Sequence, residues 1–126
     1  MEIYSGIDII EIYRIKEAIK KKAFLNRIFT DEEVKYLNYR KFSAETAAGM
    51  FAAKEAVSKL LGDGIGKINW KMIEVNHNEN GKPYLKLYDE ALLKVERMNI
   101  KTIDISISHN KSNAIAMAVG ITGGIE

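Results

Sequence analysis

The chain has 126 residues, one proline and no cysteine, with a formal net charge of +2. That length points to a single domain spanning residues 1–126, able to bury a core without disulfides, and the missing cysteines exclude disulfides and thiolate metal sites. A composition of 47% hydrophobic and 29% charged residues excludes a disordered chain, and so small a net charge gives no argument for a nucleic-acid partner.

The N-terminal stretch "MEIYSGIDIIEIYR" has no basic segment leading into an apolar one, which argues against a secretory signal. The longest apolar run, "AIAMAV", is far too short to span a bilayer. A cytoplasmic protein with no membrane partner is the expectation.

"EIYSGID" reads as a first strand, residues 2–8, ending near Asp8. Ile9, Ile12, Ile15 and Ile19 then recur at helical spacing. "FTDEEVKYL" carries a capping box in Thr30 and Glu33, with a short helix to Tyr39. A long alanine-rich helix follows Ser43 and runs to Leu61. Its slim face lets other backbone come close, and Gly62 is its C-cap. "WKMIEVNHNENGKPYLKLY" is a hairpin turning at Asn80-Gly81. "DEALLKVERM" is a short amphipathic helix capped by Asp89. "TIDISISHNKSNAIAMAVGI" is a second hairpin, with Ile103, Ile105 and Ile107 on one face and Asp104, Ser106 and Ser108 on the other. Helices set between antiparallel hairpins give an α+β class.

Few polar groups are placed for chemistry. Glu55 and Lys59 share a helix face at i and i+4, either as an exposed ion pair or as a carboxylate on a partly covered face that needs a cation. Asp8 either caps the following helix or offers a hard oxygen at the strand's end. Two carboxylates are what Mg²⁺ usually takes from a protein, with phosphate and water completing the shell. Ser108, His109 and Lys111 offer a hydroxyl, an imidazole and an ammonium, all phosphate donors, though a histidine in a polar turn is often simply exposed. His77 has no such company and reads as structural. No Walker A sequence, dinucleotide fingerprint, zinc pattern or Gly-x-Ser-x-Gly elbow is present.

Four segments in order, "GIDIIEIYRI", "FTDEEVKYL", "FAAKEAVSKLLGDGIG" and "ISISHNKSNAIAMAV", together with "NGKPYL", resemble the holo-[acyl-carrier-protein] synthases of the 4′-phosphopantetheinyl transferase family. The most specific element is Phe-x-x-Lys-Glu-Ala-x-x-Lys joined to Gly-x-Gly-x-Gly. The likeness covers nearly the whole chain.

The resemblance implies transfer of the 4′-phosphopantetheine arm of coenzyme A to a serine of apo acyl carrier protein, with release of adenosine 3′,5′-bisphosphate and a need for Mg²⁺. Asp8 and Glu55 would be the metal ligands, and Lys59 a point charge beside the pyrophosphate. Glu55 is also a candidate base for the serine, directly or through a metal-bound water. Ser108, His109 and Lys111 would bind nucleotide phosphate, with Asn80, Gly81 and Pro83 near the adenine and Gly62 opening the bend beside pantetheine. Arg14, Lys20, Lys21 and Arg27, with Phe24 as an apolar anchor, would meet the acidic carrier protein. A homotrimer with active sites between protomers is implied as well.

One departure stands out. The family often carries an arginine just before Phe-x-x-Lys-Glu, where this chain has Met50. Either coenzyme A is held less tightly here, or Lys41 or Arg40 substitutes. The same departure motivates a rival reading, a coenzyme A or nucleotide-binding module without catalysis. A small nucleic-acid binder using "IKKKAF" ranks last, because acids dilute the basic residues and no RNA-recognition aromatic motif is present.

Overall fold

The computed structural model describes residues 1–62 and 68–123. Strand β1 (Ile3–Glu11) leads into three helices, α1 (Ile12–Ala18), α2 (Lys22–Ile28) and α3 (Asp31–Tyr39). The long helix α4 (Ala44–Leu61) follows. A single 3₁₀ turn (Trp70–Met72) opens the hairpin β2 (Ile73–His77) and β3 (Pro83–Leu87). Helix α5 (Asp89–Arg97) and the hairpin β4 (Ile100–His109) and β5 (Asn113–Thr122) complete the described fold. One antiparallel sheet has the order β1-β5-β4, and β2-β3 forms a second. The α+β class expected from the sequence is the one observed.

Local signals set several boundaries. The capping box at α3 is complete, with the Thr30 hydroxyl accepting from the Glu33 amide and the Glu33 carboxylate accepting from the Thr30 amide. The Ser43 side chain caps α4 by accepting from the Thr46 amide, and Gly62 ends the helix at φ 85°. In the β2–β3 turn Gly81 alone takes a positive φ, 83°, among the turn residues. The Gly81 amide donates to the Asn78 carbonyl, so a left-handed glycine follows a tight turn rather than a two-residue hairpin loop.

Three expectations need correction. Strand β1 runs past Asp8 to Glu11, because Ile9, Ile10 and Glu11 pair with Ile115, Ala114 and Asn113. Ile9 fits the helical spacing of the following isoleucines, but it equally fits the two-residue period of a strand, and the long partner strand decides the matter. The helical segment then breaks at residues 19–21 into two short helices. Asp89 does not cap α5; it lies in the helix's first turn at φ 51°, and the preceding Tyr88 makes no side-chain cap bond.

The core lies between α4 and the three-stranded sheet. Ala52, Ala53, Ala56 and Val57 of α4 and Ala114, Ala116 and Ala118 of β5 are essentially fully buried. Small residues on both surfaces bring helix and sheet unusually close. At Gly6 of β1 an added Cβ would sit 1.9 Å from the Ala56 carbonyl oxygen, so nothing larger than glycine fits. This contact presses β1 onto the C-terminal half of α4 and fixes where Asp8 lies.

Candidate active site

Asp8 shares the α4-facing side of β1 with Gly6, two residues earlier. The Lys59 ammonium reaches across from α4 and donates to Asp8 Oδ1 at 3.1 Å and to the Ile7 carbonyl at 3.0 Å. Glu55 lies one turn before Lys59 and is half-buried. Its Oε1 accepts from the indole nitrogen of Trp70 at 3.0 Å. Of the three residues singled out in the sequence, Lys59 and Asp8 are in contact, with Lys59 half exposed, and Glu55 stands one turn away on α4 with Trp70 as its partner.

Among the described residues no group of three or more His, Asp and Glu side chains gathers to hold a metal ion. Two hard-oxygen donors with phosphate and water are nevertheless the usual Mg²⁺ arrangement. The Asp8 carboxylate already holds a cation, the Lys59 ammonium, at the edge of this site. The donor set fits such an ion.

A recess lies at the other end of α4. A cleft of about 220 Å³ is lined by Gly81, Pro83 and His109 together with Tyr36, Arg40, Glu45, Thr46, Met50 and His77. Here β4 ends, the β2–β3 turn folds over, and the start of α4 forms one wall. Three of the residues assigned to nucleotide binding, from two separate hairpins, thus meet in one recess. Asn80 stays in the exposed turn, its amide donating to the Asn78 side chain. Ser108 is exposed on β4. Lys111 lines an adjoining recess with Tyr13, Lys16 and Glu45. The bend after Gly62 lies outside the described residues, apart from Gly62 itself.

A profile of the 4′-phosphopantetheinyl transferase superfamily matches residues 5–118. Holo-[acyl-carrier-protein] synthase of Alkaliphilus oremlandii is 50% identical over 117 residues, 92% of this chain and 96% of that protein. The chain belongs to the 4′-phosphopantetheinyl transferase superfamily, among its holo-[acyl-carrier-protein] synthases. The Helicobacter pylori synthase, solved in complex with coenzyme A, aligns with a TM-score of 0.82 at 36% identity, covering 93% of this chain and 99% of that one. The Bacillus anthracis enzyme, solved with CoA (3′,5′-ADP), aligns with a TM-score of 0.75 at 36% identity over 95% and 96% of the two chains. No helix among the described residues is long and apolar enough to cross a membrane.

For this synthase-family chain the basic surface is less uniform than the sequence implies. Arg14, Lys20 and Lys21 are exposed, but Lys20 is engaged by Glu17 at 2.9 Å. The Phe24 ring is half-buried between Phe29 and Phe51, with centroids at 6.4 and 6.2 Å. Arg27 lies over the Trp70 ring, 5.2 Å from its centroid. Tyr13, beside Arg14, is the exposed aromatic of this face, 72% accessible.

Sequence reasoning missed three features. Tyr36 lines the cleft beside Gly81 and His109, together with Met50 and with Arg40, one of the two cations the sequence had named as substitutes at Met50. His77 lies flat on Tyr36, with centroids 3.8 Å apart and planes 5° from parallel. Its Nδ1 is buried without a hydrogen-bond partner among the described residues. Burial, then the nearby Arg40 charge, pulls the His77 pKa below its ordinary value. The third feature is the Trp70 contact to Glu55, for which an isolated tryptophan gives no periodic or spacing signal.

Proposed function

We propose that the chain transfers the 4′-phosphopantetheine arm of coenzyme A to a serine of apo acyl carrier protein and releases adenosine 3′,5′-bisphosphate, with Mg²⁺ as the metal. The observation that carries this reading is the contact of Lys59 on α4 with Asp8 on β1, one helical turn from Glu55, in a chain whose relatives bear the synthase name. Asp8 and Glu55 would hold the ion. When bound, it neutralises charge on the pyrophosphate as the bridging oxygen departs. Lys59 places a further positive charge at the same edge. The serine oxygen bonds to the β-phosphorus and the bond to the bridging oxygen breaks, its electron pair leaving with the nucleotide. The serine proton goes to Glu55 directly or to a water.

Adenosine bisphosphate fits the cleft at the other end of α4. Pro83, Met50 and Ile107 give it apolar surface, and Arg40 and His109 give it polar groups for phosphate. Within one chain, however, Thr46 and Glu55 are separated by roughly 14 Å along α4 and about half a turn around it. A pyrophosphate is joined directly to its adenosine, so one coenzyme A does not span both ends of a single chain. Two neighbouring copies, each giving one half of the site, would bring them together.

The sheet supports such an assembly. On the face of β1 and β5 turned away from α4, Ile3, Ile7 and Ile9 oppose Ile121, Met117 and Ile115 in register, and all six are more than a third exposed. A contiguous apolar patch of this kind marks an interaction surface. We read it as the seam of a homotrimer in the cytoplasm. Sedimentation equilibrium should give three chains per particle, and a stable monomer would refute the seam.

The decisive assay weighs apo carrier protein after incubation with the protein, coenzyme A and Mg²⁺. A phosphopantetheine mass gain is expected; none across several carriers, with coenzyme A still bound tightly, would favour a binding module instead. Glu55→Gln and Asp8→Asn should abolish the mass gain while leaving the fold intact by circular dichroism.

A further inference from the structure

Trp70 is the chain's sole tryptophan, and it is half-buried rather than sealed in the core. Two of its polar groups engage neighbouring residues of α4. The indole N–H donates to Glu55 Oε1 at 3.0 Å, and the Trp70 carbonyl accepts from Lys54 Nζ at 2.9 Å. Lys54 fixes the backbone of Trp70, and the Trp70 side chain reaches back to the next residue of the helix. The loop closes on itself.

Its anchor is rigid. Lys54 also donates to the Ile73 carbonyl and to Glu33 Oε1, both at 2.7 Å, and Glu33 Oε2 accepts from the Val75 amide at 2.8 Å. The indole ring is held by Phe51, stacked at 6.2 Å and 25°, and by Arg27. Any rotation of the indole breaks these contacts or uncovers the ring.

We propose that Trp70 is a positioning residue for Glu55. Its N–H fixes one carboxylate oxygen and so decides how the other is presented to the reaction. This rests on the transferase reading above. Two chemical facts favour an indole for the task. It donates one hydrogen bond and accepts none, so it neither takes the proton that Glu55 would accept nor competes for a cation. It is also neutral, so the carboxylate keeps its full charge. Lys54, the nearest cation in sequence, would quench that charge, and it is sequestered by Glu33 instead. Losing a partner that orients a metal-binding carboxylate typically costs about tenfold to a hundredfold in metal affinity or activity.

The test separates packing from hydrogen bonding. Trp70→Phe keeps an aromatic ring between Phe51 and Arg27 but lacks the N–H. It should melt like the parent, keep KM for coenzyme A, and lose about tenfold to a hundredfold in kcat. An unchanged kcat would overturn the proposal. A second measurement needs no turnover and stands even if Trp70→Phe fails to fold. With a single tryptophan, the ¹⁵N-labelled protein shows one indole N–H resonance. Glu55→Gln offers a weaker, neutral acceptor and should move that resonance upfield and speed its exchange with solvent, whereas Glu32→Gln on exposed α3 should not. An indole resonance indifferent to Glu55→Gln refutes the contact. Absence of carrier modification by the parent protein would instead sink the transferase reading and leave the resonance result standing.

Discussion

Helix α4 carries two lysines five positions apart, and each meets a carboxylate from another element. Lys54 approaches Glu33 to 2.7 Å with both side chains fully buried. Lys59 approaches Asp8 to 3.1 Å, with side chains 54% and 17% exposed. The first pair is finished: Lys54 makes three hydrogen bonds and Glu33 bonds to Lys54, Thr30 and Val75. Burial pushes the Glu33 pKa up and the Lys54 pKa down, each against the pull of its partner, and the completed bonds are what keep such a pair tolerable in the core. The second pair stays open to solvent. Burial and saturation separate the closed ion pair from the open one, to which the proposed function assigns chemistry, although helix, residue types and distances are nearly the same.

The largest expected effect breaks the sealed pair. Lys54→Met leaves Glu33 as a buried carboxylate without its cation, which should cost about 3–5 kcal/mol of stability in urea unfolding. Adding Glu33→Gln removes the stranded charge and should recover part of that loss. A small effect of Lys54→Met would mean that the pair is far less buried than it looks. The open pair should give the mirror result. Lys59→Met should change stability by less than about 1 kcal/mol, as for other exposed pairs. Its loss should appear in transfer instead, lowering kcat by about a hundredfold, the scale for removing one donor aimed at developing charge. A Lys59 variant that loses several kcal/mol of stability but keeps kcat would erase the distinction between the two lysines.

The sequence drew this line only in part. It set Lys59 beside Glu55 on one helix face, but what Lys54 meets depends on what α3, the 3₁₀ turn and the start of β2 bring to it. Features decided within a few residues were readable: the Thr30–Glu33 box, the start of α4 after Ser43, the left-handed Gly62 and the glycine of the β2–β3 turn all rest on local hydrogen bonds or backbone sterics. Asp8, Glu55 and Lys59 were singled out for a different reason, a family pattern, and of these the structure joins Lys59 to Asp8. Features decided across the fold were not. The end of β1 depended on the length of β5, because isoleucines at positions 9, 10 and 12 satisfy strand and helix periods alike. The Trp70 clamp and the Tyr36–His77 stack join segments with no shared period. Asp89 has the chemistry of a cap, but the chain enters α5 with that residue already in the first turn.

The histidines repeat the contrast at smaller scale and give the smallest effect. His109 is exposed at the end of β4, whereas His77 is half-buried, stacked on Tyr36 and close to Arg40, with Glu45 and His109 across the same cleft. Desolvation and then the Arg40 charge hold the folded pKa of His77 below its ordinary 6.5. Between the folded and unfolded values the unfolded chain binds more protons, so stability rises with pH there. The contribution is fully present above 6.5 and is lost as pH falls through the lowered value. His77→Phe keeps a flat ring on Tyr36 and removes both the titration and the unpartnered Nδ1. Urea midpoints of the parent at about pH 7.5 and about pH 5 should therefore differ more than those of His77→Phe, with the carboxylates and His109 common to both proteins. Equal pH dependence in the two would place His77 with His109, as a solvated side chain at the rim.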